Sequence, residues 1–237
     1  MRVVGIDGCR LGWLCVELTE DRCAAEVHGS IESVWQRFHA SDLMLIDVPI
    51  GLWDQGSRQR LCELEARKAL GARRSCVFTP PLRPSLACGS YEDACQRNFE
   101  LSGRKLSRQA WGIAPKIREV DRLLRDTVEA RSVLRETHPE VCFLGFNGRE
   151  SVSAPKKTKA GRERRHQILS KLVPRVDELV HQVRDRYRKA QVADDDIYDA
   201  LVAAVTAERY AGGEGKTLPE SPEVDTLGLR MEMVVIR

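Results

Sequence analysis

Aromatic residues are scarce, 5% of 237, which leaves little with which to build a platform for stacking the bases of a single strand. No apolar run approaches the ~18 residues of a membrane span, so no membrane partner is expected. The eight cysteines, at 9, 15, 23, 62, 76, 88, 95 and 142, include no CxxC pair, and their spacing supplies no structural zinc site. A secretory apolar region is missing near the start. Several cysteines lie in apolar patterns, where a free thiol acts as a small hydrophobe, so a reduced cytoplasm is the expected compartment. Repeats and low-complexity tracts are absent.

The net charge is small too, +3, and by itself implies no nucleic-acid partner. Its distribution says more. Residues 155–189 hold twelve Lys or Arg against four Asp or Glu, a surplus of +8, so the remainder carries −5. That describes a basic face on a weakly acidic body. Hydrophobic residues at 42% and charged ones at 31% are those of an ordinary globular protein, and the length suits one domain with room for an inserted subdomain.

Hydrophobic periodicity gives the element order. Residues 2–7 read as a buried strand, and Trp13–Leu18 and Cys23–His28 continue it as an antiparallel meander. Ser30 is a suitable N-cap for a helix to about Phe38, with Ile31, Val34, Trp35 and Phe38 on one face. Leu43–Val48 is apolar apart from Asp47, as a central strand buried on both faces would be, and Pro49 ends it. Helices are expected at 57–70, closed by Gly71, near 90–101 and at 107–127, with a Pro-, Ser- and Arg-rich segment at 72–89. A strand is expected at 133–137, basic helices over 159–189 with a break at Pro174, an apolar helix at 194–210 and a closing strand at 229–236. Three strands, a helix, a strand, then alternating helix and strand indicate a mixed α/β sheet.

Three carboxylates stand out. Asp7 closes an apolar strand and enters a glycine turn with Gly8 and Gly12. The plainer reading of Asp before Gly is a turn, but here the acid ends the strand, and a buried unpaired carboxylate requires a cation or donors. Asp47 repeats the pattern before Pro49; the plainer alternative is a turn acceptor. Neighbouring strands lie about 4.8 Å apart, so two such strand-end acids can share one ion. Asp199 sits inside an apolar helix, just before Ala200-Leu201-Val202, where an acid is disfavoured. It shares a helix face with Asp196. Asp195 is the alternative in another helix phase, and the Asp194–Asp196 run alone can be capping. Glu136 and Glu140 flank His138-Pro139. Glu136, at the strand's end, is the preferred additional acid, and His138 is a weaker proton-transfer candidate. Two hard cations roughly 3.5–4 Å apart need several shared carboxylate oxygens, which this set can supply.

For phosphate contact the candidates are Arg10, Arg73 and the run Lys156, Lys159, Arg162 and Arg165. The plainer reading of the run is a solvated helix face.

The ordered motifs Gly5-Ile-Asp7-Gly8-Cys-Arg10-Leu-Gly12-Trp13, Ile46-Asp47-Val-Pro49-Ile-Gly51, Ala66-Arg67-Lys-Ala-Leu-Gly71-Ala-Arg73, Ser75-Cys-Val-Phe78, Gln109-Ala-Trp-Gly-Ile113, Glu136-Thr-His138-Pro139-Glu140 and Asp195-Asp196-Ile-Tyr-Asp199-Ala200 resemble domain-of-unknown-function family 429, described as predicted nucleases with an RNase H-like fold. The resemblance spans nearly the whole chain. It implies a five-stranded mixed sheet flanked by helices, a cytoplasmic protein and phosphodiester hydrolysis. The carboxylate layout is also similar to that of RuvC-type junction resolvases, in which one acid ends the first strand, another the fourth, and a D-x-x-D pair opens the last helix. Asp7, Asp47, Asp196 and Asp199 match in order, with Asp47 standing where the resolvases have Glu.

The expectation is therefore a single RNase H-like α/β domain with a helical insertion at about 57–127. It would bind Mg²⁺ or Mn²⁺ through Asp7, Asp47, Asp196 and Asp199 and act on DNA or RNA. Two rivals remain. One is an actin-like phosphotransferase or ATPase, since Gly-Ile-Asp7-Gly resembles that fold's first phosphate motif. The other is a non-catalytic nucleic-acid-binding domain.

Overall fold

A computed structural model describes residues 1–237. Strands β1 (Val3–Cys9), β2 (Gly12–Leu18) and β3 (Cys23–His28) form the antiparallel meander. Helix α1 (Ile31–Phe38) follows, and the Ser30 hydroxyl caps it by accepting from the Ser33 N–H. Strand β4 (Leu43–Ile46) then pairs parallel to β1. Next come α2 (Leu61–Leu70), two 3-10 turns (Gly71–Cys76 and Arg83–Ala87), α3 (Tyr91–Ser102), α4 (Arg108–Asp126) and α5 (Ala130–Val133). Strand β5 (Leu134–Glu136) joins parallel to β4. The chain finishes with α6 (Pro139–Phe146), α7 (Lys159–Ser170), α8 (Val176–Arg186), α9 (Asp194–Ala211) and the hairpin β6 (Gly215–Val224) and β7 (Arg230–Ile236). The sheet order β3-β2-β1-β4-β5 is the RNase H-like layout. No helix is long and apolar enough to cross a membrane.

Strand alternation sorts the core into two layers. On one face Val3, Leu14, Val16, Leu43 and Leu45 pack against α9, with α7 against α9 and α8 beside it on β3. On the other, Val4, Ile6, Cys15, Met44 and Ile46 pack against α1 and the Ile117, Val120 and Leu124 side of α4. Buried Trp13 donates its indole N–H to Glu119 of α4. Helix α4, within the 57–127 stretch, thus covers one face of the central sheet.

Three expectations needed correction. Helix α2 starts at Leu61, not 57, because Arg60 is held extended by buried acid partners. Helix α6 was not foreseen; its residues 139–144 are all buried, so it presents no one-sided apolar stripe. The closing strand β7 pairs with β6, which was missed, in a separate two-stranded sheet. Pro219 and Pro222 argue against a strand there, and the ladder breaks between Leu218 and Glu223 to pass them.

Gly5 sets the distance between α9 and β1. A methyl group there would overlap the Ala200 carbonyl oxygen and the Ala204 nitrogen. Gly5→Ala is therefore expected to cost about 3 kcal/mol or more, roughly 6–12 °C in Tm. Gly29→Ala, with nothing within 4 Å of the added methyl, should leave the melt unchanged. Thermal melts of the two variants check this, and equal melting would refute the tight contact.

Candidate active site

The register of β1 and β4 continues from Ile6 opposite Ile46, and the Asp47 N–H donates to the Ile6 carbonyl at 3.1 Å. Asp7 does not close its strand as expected, because β1 continues to Cys9 through its pairing with β2. Asp7, within β1, and Asp47, one residue past β4, nevertheless sit side by side on the face that α9 covers. The approach of α9 at Gly5 brings Asp199 onto the same edge. All three, with Asp196, line one cleft of about 520 Å³. Glu140, His138, Arg73, Lys116 and Lys156 complete its polar walls.

Lys156 stands among the acids. Its ammonium donates to Asp199 Oδ2 at 2.6 Å and lies 3.8 Å from Asp195. The other oxygen of Asp199, Oδ1, is buried without a partner, and the residue is 1% exposed. Such an orphaned carboxylate oxygen is costly unless something binds it. Asp196 divides its capacity, because one oxygen accepts from the Ala193 N–H at 2.8 Å and caps α9. The donors are hard oxygens, the kind that suits Mg²⁺ or Mn²⁺. No three His, Cys, Asp or Glu side chains yet close on one point; Lys156 supplies the positive charge among them.

Two expected site residues are buried outside the cleft. Glu136 lies opposite Ile46 in the parallel pairing. Its side chain therefore leaves the sheet on the face opposite Asp47, as a one-residue offset in a strand requires. There it is 2% exposed, and both its oxygens accept from Arg60 at 2.8 Å while one also accepts from the Ile50 N–H. Arg165 is fully buried. It donates to Glu140 at 2.5 Å and to the carbonyls of Ala154 and Gly161, so it staples the loop carrying Lys156 and cannot meet a phosphate. Removing either partner of such a pair would strand a buried charge.

Of the other basic candidates, Arg73 lines the cleft, 3.6 Å from Glu140. Arg10 sits exposed on the β1–β2 turn, outside the cleft lining. Lys159 and Arg162 lie on the outer side of α7, where Lys159 pairs with Glu163 and Arg162 donates to the Lys157 carbonyl. Both Gln109 and Lys116 reach the cleft unanticipated. With Gly112 and Ile113 they form an i, i+3, i+4, i+7 stripe of α4, a signal the sequence contained. Lys116 also lies over the Trp13 ring and donates to the Gly12 carbonyl.

A family comparison matches residues 5–224 to the family described as "Protein of unknown function (DUF429)". The chain belongs to the DUF429 family. No curated protein and no solved structure matches it.

The electrostatics of the cleft are strained. Burial raises Asp7 well above the ordinary carboxylate range, and the charges of Asp199 and Asp47 add to the rise. Burial pushes Asp199 up to about 7, against the pull of Lys156. Burial also raises Asp47 and Asp196. Lys156 goes up in turn, chiefly through the Asp199 charge. Between about pH 4, the unfolded value, and the raised native values, the folded state binds more protons than the unfolded one, so stability falls as pH rises through that window. Metal-free protein is expected to melt at a lower temperature at pH 8 than at pH 5, and Asp199→Asn should flatten the decline. Parallel Tm–pH profiles for the two proteins would contradict this.

Proposed function

We propose that this cleft hydrolyses phosphodiester bonds of a nucleic acid with Mg²⁺ or Mn²⁺ held by Asp7, Asp47 and Asp199, and with Asp196 at the rim. The observation that carries the reading is the convergence of these acids from two neighbouring strands and one helix, with Asp199 Oδ1 buried and unpartnered. When bound, such an ion lowers the pKa of a water and offsets charge on the phosphoryl group. Around it the chain's own residues have separate tasks. Lys156 neutralises the acids in the absence of an ion and, on a flexible stem, is free to turn toward a phosphate oxygen. Arg73 and Lys116 place further positive charge on the walls. His138, with Nδ1 unpartnered and its ring facing the cleft, is placed to hold or pass a proton.

Two further observations bear on the reading. A phosphotransferase of the actin-like kind duplicates its core, whereas the second sheet here has two strands. The eight cysteines are all free thiols, which supports a reducing, cytoplasmic setting.

Incubation with a panel of labelled DNA and RNA, single-stranded, duplex and branched, tests the proposal. Cleavage is expected with Mg²⁺ or Mn²⁺ and not with EDTA. Asp7→Asn should lower it on the order of 100-fold or more, since losing an ion's stabilisation costs several kcal/mol. Metal-independent cleavage, or an unimpaired Asp7→Asn variant, would overturn the reading.

A further inference from the structure

A second cavity of about 520 Å³ opens beside the acid cleft, and the two share Phe78 and Gln109 in their walls. Its charge is one-sided. Arg58, Arg60, Arg67, Arg104 and Lys105 line it, against one acid, Glu63. Glu63 is neutralised by Arg60 and Arg67, and Arg60 also satisfies Glu136. Arg58 pairs with Glu223 and lies over the Trp53 ring. Arg104 and Lys105 are exposed and have no carboxylate within ion-pair reach, in contrast to Arg58 and Arg67. The indole nitrogen of Trp53, which lines the same cavity, is buried and lacks a partner. A donor-rich, acid-poor cavity with an unmet N–H calls for an acceptor-rich anion. Its volume is that of a small-molecule pocket, room for a nucleotide unit or two and too little for a duplex.

We propose that this cavity holds one arm of the polynucleotide substrate as a single strand. Arg104 and Lys105 would contact its phosphates, and Phe78 would bear a base beside the scissile bond. The inference rests on the phosphodiesterase reading above and adds to it the strandedness of the substrate and the direction in which it leaves the acid site. It also assigns the phosphates of that arm to the loop between α3 and α4, and of the 156–165 run leaves only Lys156 at the acid cleft.

The test separates binding from chemistry. Anisotropy of labelled single-stranded DNA and single-stranded RNA of one sequence, and of the matching duplex, is titrated with Asp7→Asn protein in EDTA over a salt series. Arg104→Gln/Lys105→Gln in the same background is compared with Arg162→Gln/Arg164→Gln, which alters a half-buried and an exposed arginine on α7, neither of them lining the cavity. The 104/105 variant is expected to lower the log–log salt slope for single strands by about 1.4 in total and to weaken binding severalfold at low salt. The α7 variant should match the parent. Preference for DNA or for RNA would identify the source of the strand, and either supports the proposal. It is overturned by an unchanged slope in the 104/105 variant, by an equal loss in the α7 variant, by tighter binding of duplex than of single strand, or by no binding at all. Binding that depends on 104/105, alongside absence of cleavage under any metal, would leave this cavity standing and remove the catalytic reading.

Discussion

Helix α9 approaches β1 more closely than any side chain larger than hydrogen permits, and Gly5 is where it does so. The position of Asp199 in the cleft depends on that contact. Because the helix sits so low on the sheet, Asp199, one residue before Ala200, reaches Asp7 within β1 and Asp47 just past the end of β4. A wider separation would keep the apolar burial of Leu201, Val202 and Val205 largely in place and lose the meeting of acids. Packing here sets which acids meet.

The cost of that meeting is visible in the charges. Several carboxylates share a buried edge, and each raises or is raised by its neighbours. The fold answers with Lys156, held in place by a loop that Arg165 and Glu140 pin from within. Arg60, Glu63 and Glu136 form a comparable buried network on the far side of the sheet. The two networks differ in completeness. Both oxygens of Glu136 are satisfied, whereas Asp199 keeps one oxygen without a partner. A carboxylate oxygen left unmet at one site, beside a fully bonded pair at the other, is what a binding role would require.

Most of the central fold could be read from the chain because its signals are local. The β1–β2–β3 meander shows apolar strands and turn residues, and α1 shows its serine cap and one apolar face. Asp7, Asp47 and Asp199 were legible because an acid ending an apolar strand, or lying inside an apolar helix, conflicts with its surroundings. Other features depend on long-range geometry. Strand β5 has three residues, too few to reveal which face Glu136 takes. Arg165 lies in a run that resembles a solvated face, and only its distant partner Glu140 explains its burial. The prolines of β6 mask a strand that bends around them, and α6 is too uniformly apolar to show a period.

The central claim is that Asp7, Asp47 and Asp199 form a cation site which Lys156 fills in the ion's absence. Calorimetric titration of Mn²⁺ at pH 8, into the intact protein and into Asp199→Asn, addresses it without reference to any substrate. The account predicts saturable binding by the intact protein and a loss in the variant of at least about tenfold in Kd, or 1.4 kcal/mol. Equal affinity in the two proteins, or no binding by the intact one, would contradict it.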